Sequence, residues 1–379
     1  MEVGITYLDH AATTPVRPAA LAAMLPFFTE RFANPSGSHR FARDARKALD
    51  EARDHTAWAL GVQPGDVVFT GCGSESNNTV IAGTGGRAVC SAAEHHAVLH
   101  PVEARGGIIV GVDSSGHIRL DELAAALDAS AATVGLVSVM AVNNEVGTIT
   151  DMVSVSQLVR RLAPQALLHT DAVQAPSWVD LRTISPLVDL MSLSAHKFGG
   201  PKGVGVLAIR QGVKIAPLIS GGGQERDRRS GTHNVAGVVA LAEALTETDR
   251  ERLAELPRIA ALRDRLVDGL VAACDGVTET VSRERKVAGS AHVCIEGIES
   301  ESLLFLLDEA EVCASAASAC ASGAMEPSHV LAAMGVERSR SAGALRLTLG
   351  HTTTAADVDR ALDVIVAAVR RLRTVPAMR

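Results

Sequence analysis

The chain has 379 residues, 47% hydrophobic and 21% charged, with a formal net charge of -7. That length suits about two to three domains and the composition supplies a large core, so disorder is excluded and nonspecific nucleic-acid binding is disfavoured. No apolar run reaches the ~18 residues of a membrane span, and the start MEVGITYLDH has no basic region ahead of an apolar one, so the sequence reads as a cytoplasmic protein.

In chain order, the first long element predicted is a helix over 38–60. Ser38 suits its cap, and Phe41, Ala45, Leu49 and Ala52 recur at three- and four-residue spacing. Short β-rich runs follow at 67–69, 88–90, 107–112, 133–139, 166–169, 190–194 and 204–209, several separated by helical patterns. This alternation predicts an α/β domain on a mainly parallel sheet of seven strands flanked by helices. After about residue 245 the texture changes. A charged helical stretch over 249–274 is interrupted by Pro257, and a final helix spans 354–373. Thr354 and Asp357 suit a capping box there, and Val358, Leu362, Ile365, Val366, Val369 and Leu372 share one face. The expected division is a large domain over 15–245 and a smaller α+β domain built from 1–14 and 246–379.

In parallel sheets, ligands sit outside the carboxyl ends of the strands, so the polar residues ending these runs are the candidates for a site. Lys197 ends the apolar run before SAHKFGG. A lysine there is costly unless it is solvated, paired or bound to a cofactor aldehyde as a Schiff base. Asp171, 26 residues earlier in HTDAVQ, needs a cationic partner if buried, and a protonated pyridine nitrogen would serve as well as a side chain. Gln174 follows it and can donate to a ring oxygen. In FTGCGSESNN, Gly73 and Ser74 lead from a strand into a helix whose N–H groups suit a phosphate, although an ordinary glycine-rich turn has the same look. His95 in AEHHAVL could stack on an aromatic ring and move protons. Asn144, Ser194 and His196 also end apolar runs. Thr232 follows the three glycines and basic cluster of GGGQERDRRSGTHN.

The six cysteines, Cys72, Cys90, Cys274, Cys294, Cys313 and Cys320, form neither a dense disulfide pattern nor a CxxC metal pattern. Cys320 lies among small residues in SAASACASGAM, as suits a mobile loop, whereas Cys313 lies in a more apolar stretch. A reactive thiol there would need its proton removed.

Together and in order, YLDHAATTP, GCGSESNN, AEHHAVL, VNNEVGTI, HTDAVQ, SLSAHKFGGPKG, GGGQERDRRSGTHN, SAASACASGAMEPSHVL and LRLTLG resemble the pyridoxal-phosphate-dependent cysteine desulfurases of fold-type I, in the class V aminotransferase group. The resemblance implies that Lys197 carries the cofactor as a Schiff base, Asp171 pairs with its ring nitrogen, Gln174 meets its phenolate oxygen and His95 stacks on the ring. Gly73, Ser74, Ser194 and His196 would hold the phosphate, with Thr232 supplied from the second subunit of a homodimer. Asn144 and Arg346 would bind the substrate, Arg346 taking its carboxylate through a guanidinium fork. Cys320 would receive sulfur from L-cysteine as a persulfide, after His95 takes the thiol proton, and pass it to an acceptor protein or thiol. No metal is implied.

The chain departs from the family pattern where Ala317 and Asp227 replace usual glycines and where the segment 81–89 is short. The alternatives are a selenocysteine lyase or another enzyme of the same fold, and a non-catalytic cofactor-binding scaffold of a sulfur-transfer complex. Acceptors in iron–sulfur cluster assembly, tRNA or DNA thiolation and biosynthesis fit the sequence equally.

Overall fold

A computed structural model describes residues 4–316 and 328–374. Its strands are β1 (Thr6–Tyr7), β2 (Val67–Thr70), β3 (Arg87–Ser91), β4 (Ile108–Val110), β5 (Val134–Ser138), β6 (Leu167–Asp171), β7 (Leu190–Ser194), β8 (Gly205–Ile209), β9 (Val277–Glu279), β10 (Ser290–Ile295), β11 (Val312–Cys313) and β12 (Ala344–Thr348). Seven form one sheet in the order β2-β8-β7-β6-β5-β3-β4. Neighbours from β7 across to β4 pair in parallel, whereas β8 runs antiparallel to both β7 and β2. Each run predicted from β-rich composition is one of these strands. The interior ones are buried along their length because both faces are covered.

The first long helix spans Arg40–Leu60 and differs from expectation at its start. His39, not Ser38, is the cap: its Nδ1 accepts the Ala42 N–H at 3.2 Å. Ala45, Leu49 and Ala52 face the core, but Phe41 is 56% exposed. The interruption expected at Pro257 also fails to appear, because one helix runs Val235–Ala273 straight through it. Proline frees the carbonyl one turn back. Both Leu253 and Pro257 lie on the solvent face, where water can satisfy that group. This helix passes the boundary expected near residue 245 and packs against both cores, through Leu241 and Leu245 in one and Leu266 and Leu270 in the other.

The second core is built on an antiparallel sheet in the order β12-β10-β9, beside the short parallel pair β1-β11. The helix Ala355–Thr374 closes it with Val358, Ile365 and Val369. Its start matches the predicted capping box. Asp357 accepts from the Thr354 N–H at 2.8 Å, and the Thr354 hydroxyl accepts the Asp357 N–H at 3.2 Å. The N-terminal strand thus belongs spatially with the C-terminal third, and the segment after it crosses the mouth of the large sheet.

Candidate active site

At the carboxyl ends of β3, β5, β6 and β7 a pocket holds about 890 Å³ of empty space, its open mouth included. It gathers Gly73, Ser74, His95, Asn144, Asp171, Gln174, Ser194, His196, Lys197 and Arg346, which are ten of the residues singled out from sequence. It does not gather Thr232, which is exposed on its loop. Cys320 and Ala317 lie outside the described residues.

Asp171 is the last residue of β6 and is 2% exposed. Its carboxylate accepts from Asn77 Nδ2 at 2.6 Å and from the Val173 N–H at 2.9 Å. No cation among the described residues lies within ion-pair distance of it. Two residues earlier on the same face, His169 is fully buried and bridges Ser138 Oγ at 2.8 Å and Ser192 Oγ at 3.0 Å, tying β5, β6 and β7 together below the site. Burial pushes the His169 pKa down to about 3, so the ring is neutral.

Lys197 follows β7 at the end of a single tight turn, Ala195–Lys197. Its Nζ donates to the carbonyls of Ala11 at 2.6 Å and Ala12 at 2.8 Å, on the segment that crosses the pocket mouth. Burial and the nearby Arg346 charge lower its pKa to about 8, against the opposing pull of Asp171 and Asp9. The amine therefore loses its proton far more readily than a solvated lysine. Gln174 donates to the same Ala11 carbonyl at 2.8 Å.

The helix Gly73–Gly83 points its N-terminus into the pocket, and no side chain caps it. A Cβ at Gly73 would fall 2.7 Å from Val173 Cγ2, so only glycine allows this approach. Beside it the Ser194 hydroxyl is buried with no partner among the described residues. His196 bonds Thr13 Oγ1 at 3.1 Å, and burial with the charges of Lys197 and Lys202 lowers its pKa to about 4. Uncapped helix N–H groups, an unengaged hydroxyl and a glycine cradle together suit a phosphate. With Asp171, which meets no cation among the described residues, in the same pocket, this donor set fits the pyridoxal phosphate implied by the sequence.

His95 caps the helix His96–Ala104, its Nδ1 accepting the Ala97 N–H at 3.0 Å. The neutral ring consequently carries its proton on Nε2. Burial lowers its pKa, and the Asp171 charge partly offsets that. To take a thiol proton, as expected from sequence, Nδ1 would have to release Ala97, whereas Nε2–H is ready to donate.

Arg346 comes from β12 of the smaller unit. It donates to the Asn144 carbonyl at 3.0 Å and pairs with Asp9 at 2.8 Å, leaving its buried Nε without a partner among the described residues. The Asn144 side-chain oxygen is also unpaired.

Three contributors were not singled out from sequence. Asn77 stands one helical turn beyond Gly73, a spacing that would have placed it on the pocket side. Asp9 lies in the YLDHAATTP element, where nothing local marks its pairing with a residue 337 positions away. Glu94, fully buried before His95, accepts from the Met140 N–H at 2.7 Å, and burial raises its pKa well above the usual range.

Residues 6–361 match the family model of the class-V aminotransferases. The chain is 42% identical to a protein of Methanosarcina thermophila named cysteine desulfurase IscS, covering 97% of this chain and 92% of that one. It is 41% identical to an IscS-like cysteine desulfurase of Mycobacterium tuberculosis, covering 97% of each. A solved NifS-like protein superposes with a TM-score of 0.90 at 35% identity, covering 97% of this chain and all of that one.

Proposed function

The chain belongs to the aminotransferase class-V family, and from that premise we propose that it is a pyridoxal-phosphate-dependent cysteine desulfurase, converting L-cysteine to L-alanine with the sulfur carried as a persulfide on Cys320. The observation that carries this reading is the pairing, in one pocket, of a buried Asp171 lacking a cation with a Lys197 whose pKa is lowered to about 8.

When bound, pyridoxal phosphate supplies a ring that absorbs the negative charge left on the substrate α-carbon. Asp171 would hold the ring nitrogen in its protonated state, with Asn77 and the Val173 N–H fixing that carboxylate. The uncapped helix at Gly73, with Ser194, retains the phosphate. Lys197, held by the Ala11 and Ala12 carbonyls, would carry the cofactor, and its amine would serve as the base at the substrate α-carbon. Arg346 takes the substrate carboxylate through its open Nε edge, and Asn144 accepts from the bound ligand. Cys320, as thiolate after losing its proton to solvent, attacks the substrate sulfur; an S–S bond forms as the Cβ–S bond breaks, the β-carbon takes up one proton from solvent, and Lys197 returns the α-proton to give alanine. The neutral His95 offers its Nε2–H to the pocket as a hydrogen-bond donor.

A homodimer completes the site. Leu21, Leu25, Phe28 and Phe32, close in sequence, are 47–69% exposed, apolar side chains that a second subunit would cover. Thr232, exposed and away from its own pocket, is then available to the other subunit's phosphate. The sulfur acceptor is a thiol or protein able to reach the Cys320 loop.

The test is to incubate the purified holoenzyme with L-cysteine and measure alanine and the mass of the Cys320 peptide. Equimolar alanine with one sulfur added at Cys320, lost in Cys320→Ser, is the expected result. Alanine without sulfur at Cys320 would move the nucleophile, and bound cofactor with no alanine would overturn the assignment.

A further inference from the structure

Asp9 sits at the junction of the two reactive side chains. It bridges Thr348 at the end of β12, and its backbone carbonyl accepts from Tyr7 Oη at 3.1 Å and from the Ala12 N–H at 3.0 Å. The Ala11 N–H is fixed on Thr348 Oγ1 at 2.9 Å. The Asp9 side chain, 20% exposed, reaches Arg346 Nη2 at 2.8 Å, while the guanidinium itself is 7% exposed. The same short segment offers the Ala11 and Ala12 carbonyls to Lys197. One rigid turn therefore holds Arg346 by a charge and Lys197 by two dipoles.

The guanidinium has one arm on the Asn144 carbonyl and one on Asp9, with Nε open. An arriving α-carboxylate meets a fork already oriented, and already half neutralised. That matters because L-cysteine and L-alanine carry the same carboxylate. A buried arginine with no other counter-charge would grip the product as firmly as the substrate and slow its departure.

We propose that Asp9 is a positioning residue for the carboxylate clamp: it fixes the Arg346 fork and, by sharing its charge, sets the affinity for the α-carboxylate of both substrate and product. The proposal rests on Arg346 being the clamp. Asp9→Asn keeps an oxygen on Nη2 but removes the competing charge, so orientation survives and affinity rises. Asp9→Ala removes both, so the fork loses its support.

The experiment compares KM and kcat for L-cysteine, and inhibition by L-alanine, in the cofactor-saturated wild type, Asp9→Asn, Asp9→Ala and Arg346→Gln. For Asp9→Asn the KM and the alanine inhibition constant should fall together, about three- to tenfold, with kcat not increased. Asp9→Ala should lose that gain. A merely structural role would instead lower kcat and cofactor content with no tightening of alanine. Unchanged or weaker alanine binding in Asp9→Asn, while Arg346→Gln raises KM sharply, overturns the role of Asp9 alone. An Arg346→Gln enzyme with normal KM overturns the clamp itself.

Discussion

Two buried carboxylates, Glu225 and Asp171, show how scaffold and site differ in this molecule. Glu225 is 5% exposed and is met by Arg53 on both oxygens at 2.7 and 2.8 Å, by His233 at 2.9 Å and by the Phe69 N–H at 3.0 Å. Burial alone would raise its pKa, but those bonds and the Arg53 charge bring it down to about 2. Asp171 is as deeply buried yet, among the described residues, is met by only an amide and a backbone N–H. The chain supplies the cation for the first, and no cation among the described residues meets the second. A buried charge whose hydrogen bonds are made but whose counter-ion is missing marks a binding site, whereas a fully paired one marks architecture.

What Glu225 holds is a strained loop. Glu225, Arg226 and Asp227 all have positive φ, of 50°, 58° and 63°, a conformation that L-residues adopt at a cost. The paired carboxylate pins this turn to the sheet edge at Phe69 and keeps the loop carrying Thr232 in place.

Three experiments can break or sharpen this contrast. The largest effect is expected from Lys197→Ala, which should abolish turnover and the visible absorbance of the bound cofactor while the apoprotein still folds; a coloured, active variant would remove the lysine from its role. Next is Glu225→Gln, which leaves the Arg53 charge buried and short of its partner and should cost about 3–5 kcal/mol of stability. Because the Glu225 pKa is depressed, its stabilising contribution is fully present above the unfolded value of 4.5 and is lost as pH falls toward about 2. The gap between wild type and variant in denaturant melts should therefore close over that range. A gap that does not change with pH would show that the charge is not what stabilises the loop. The smallest effect belongs to Asp227→Gly, which relieves one left-handed residue and should raise stability by about 1 kcal/mol; a loss of stability would mean that the Asp227 side chain itself supports the turn.

Much of this was legible in the sequence because the sheet is buried on both faces. Its strands stand out as apolar runs, and the polar residues at their ends, such as Asp171, Ser194 and Asn144, fall into one pocket once the strands are side by side. The boundaries were harder to read. Local rules make Ser38 a cap and Pro257 a break, but position along the helix and solvent access override both. The Asp9–Arg346 and Arg53–Glu225 pairs were invisible for a different reason, since each joins segments more than 170 positions apart. The usual glycine replaced by Asp227 was visible as a departure, but its meaning needed the positive φ.

The contrast between the two carboxylates is tested most directly by Asp171→Asn, comparing the unfolding midpoint of the apoprotein with cofactor affinity and turnover. The account predicts an apoprotein at least as stable as wild type, since a buried charge without a cation has been removed. Turnover and cofactor affinity should fall by roughly a hundredfold or more. An apoprotein that melts far lower yet binds the cofactor normally would make Asp171 part of the scaffold and contradict the reading of this pocket.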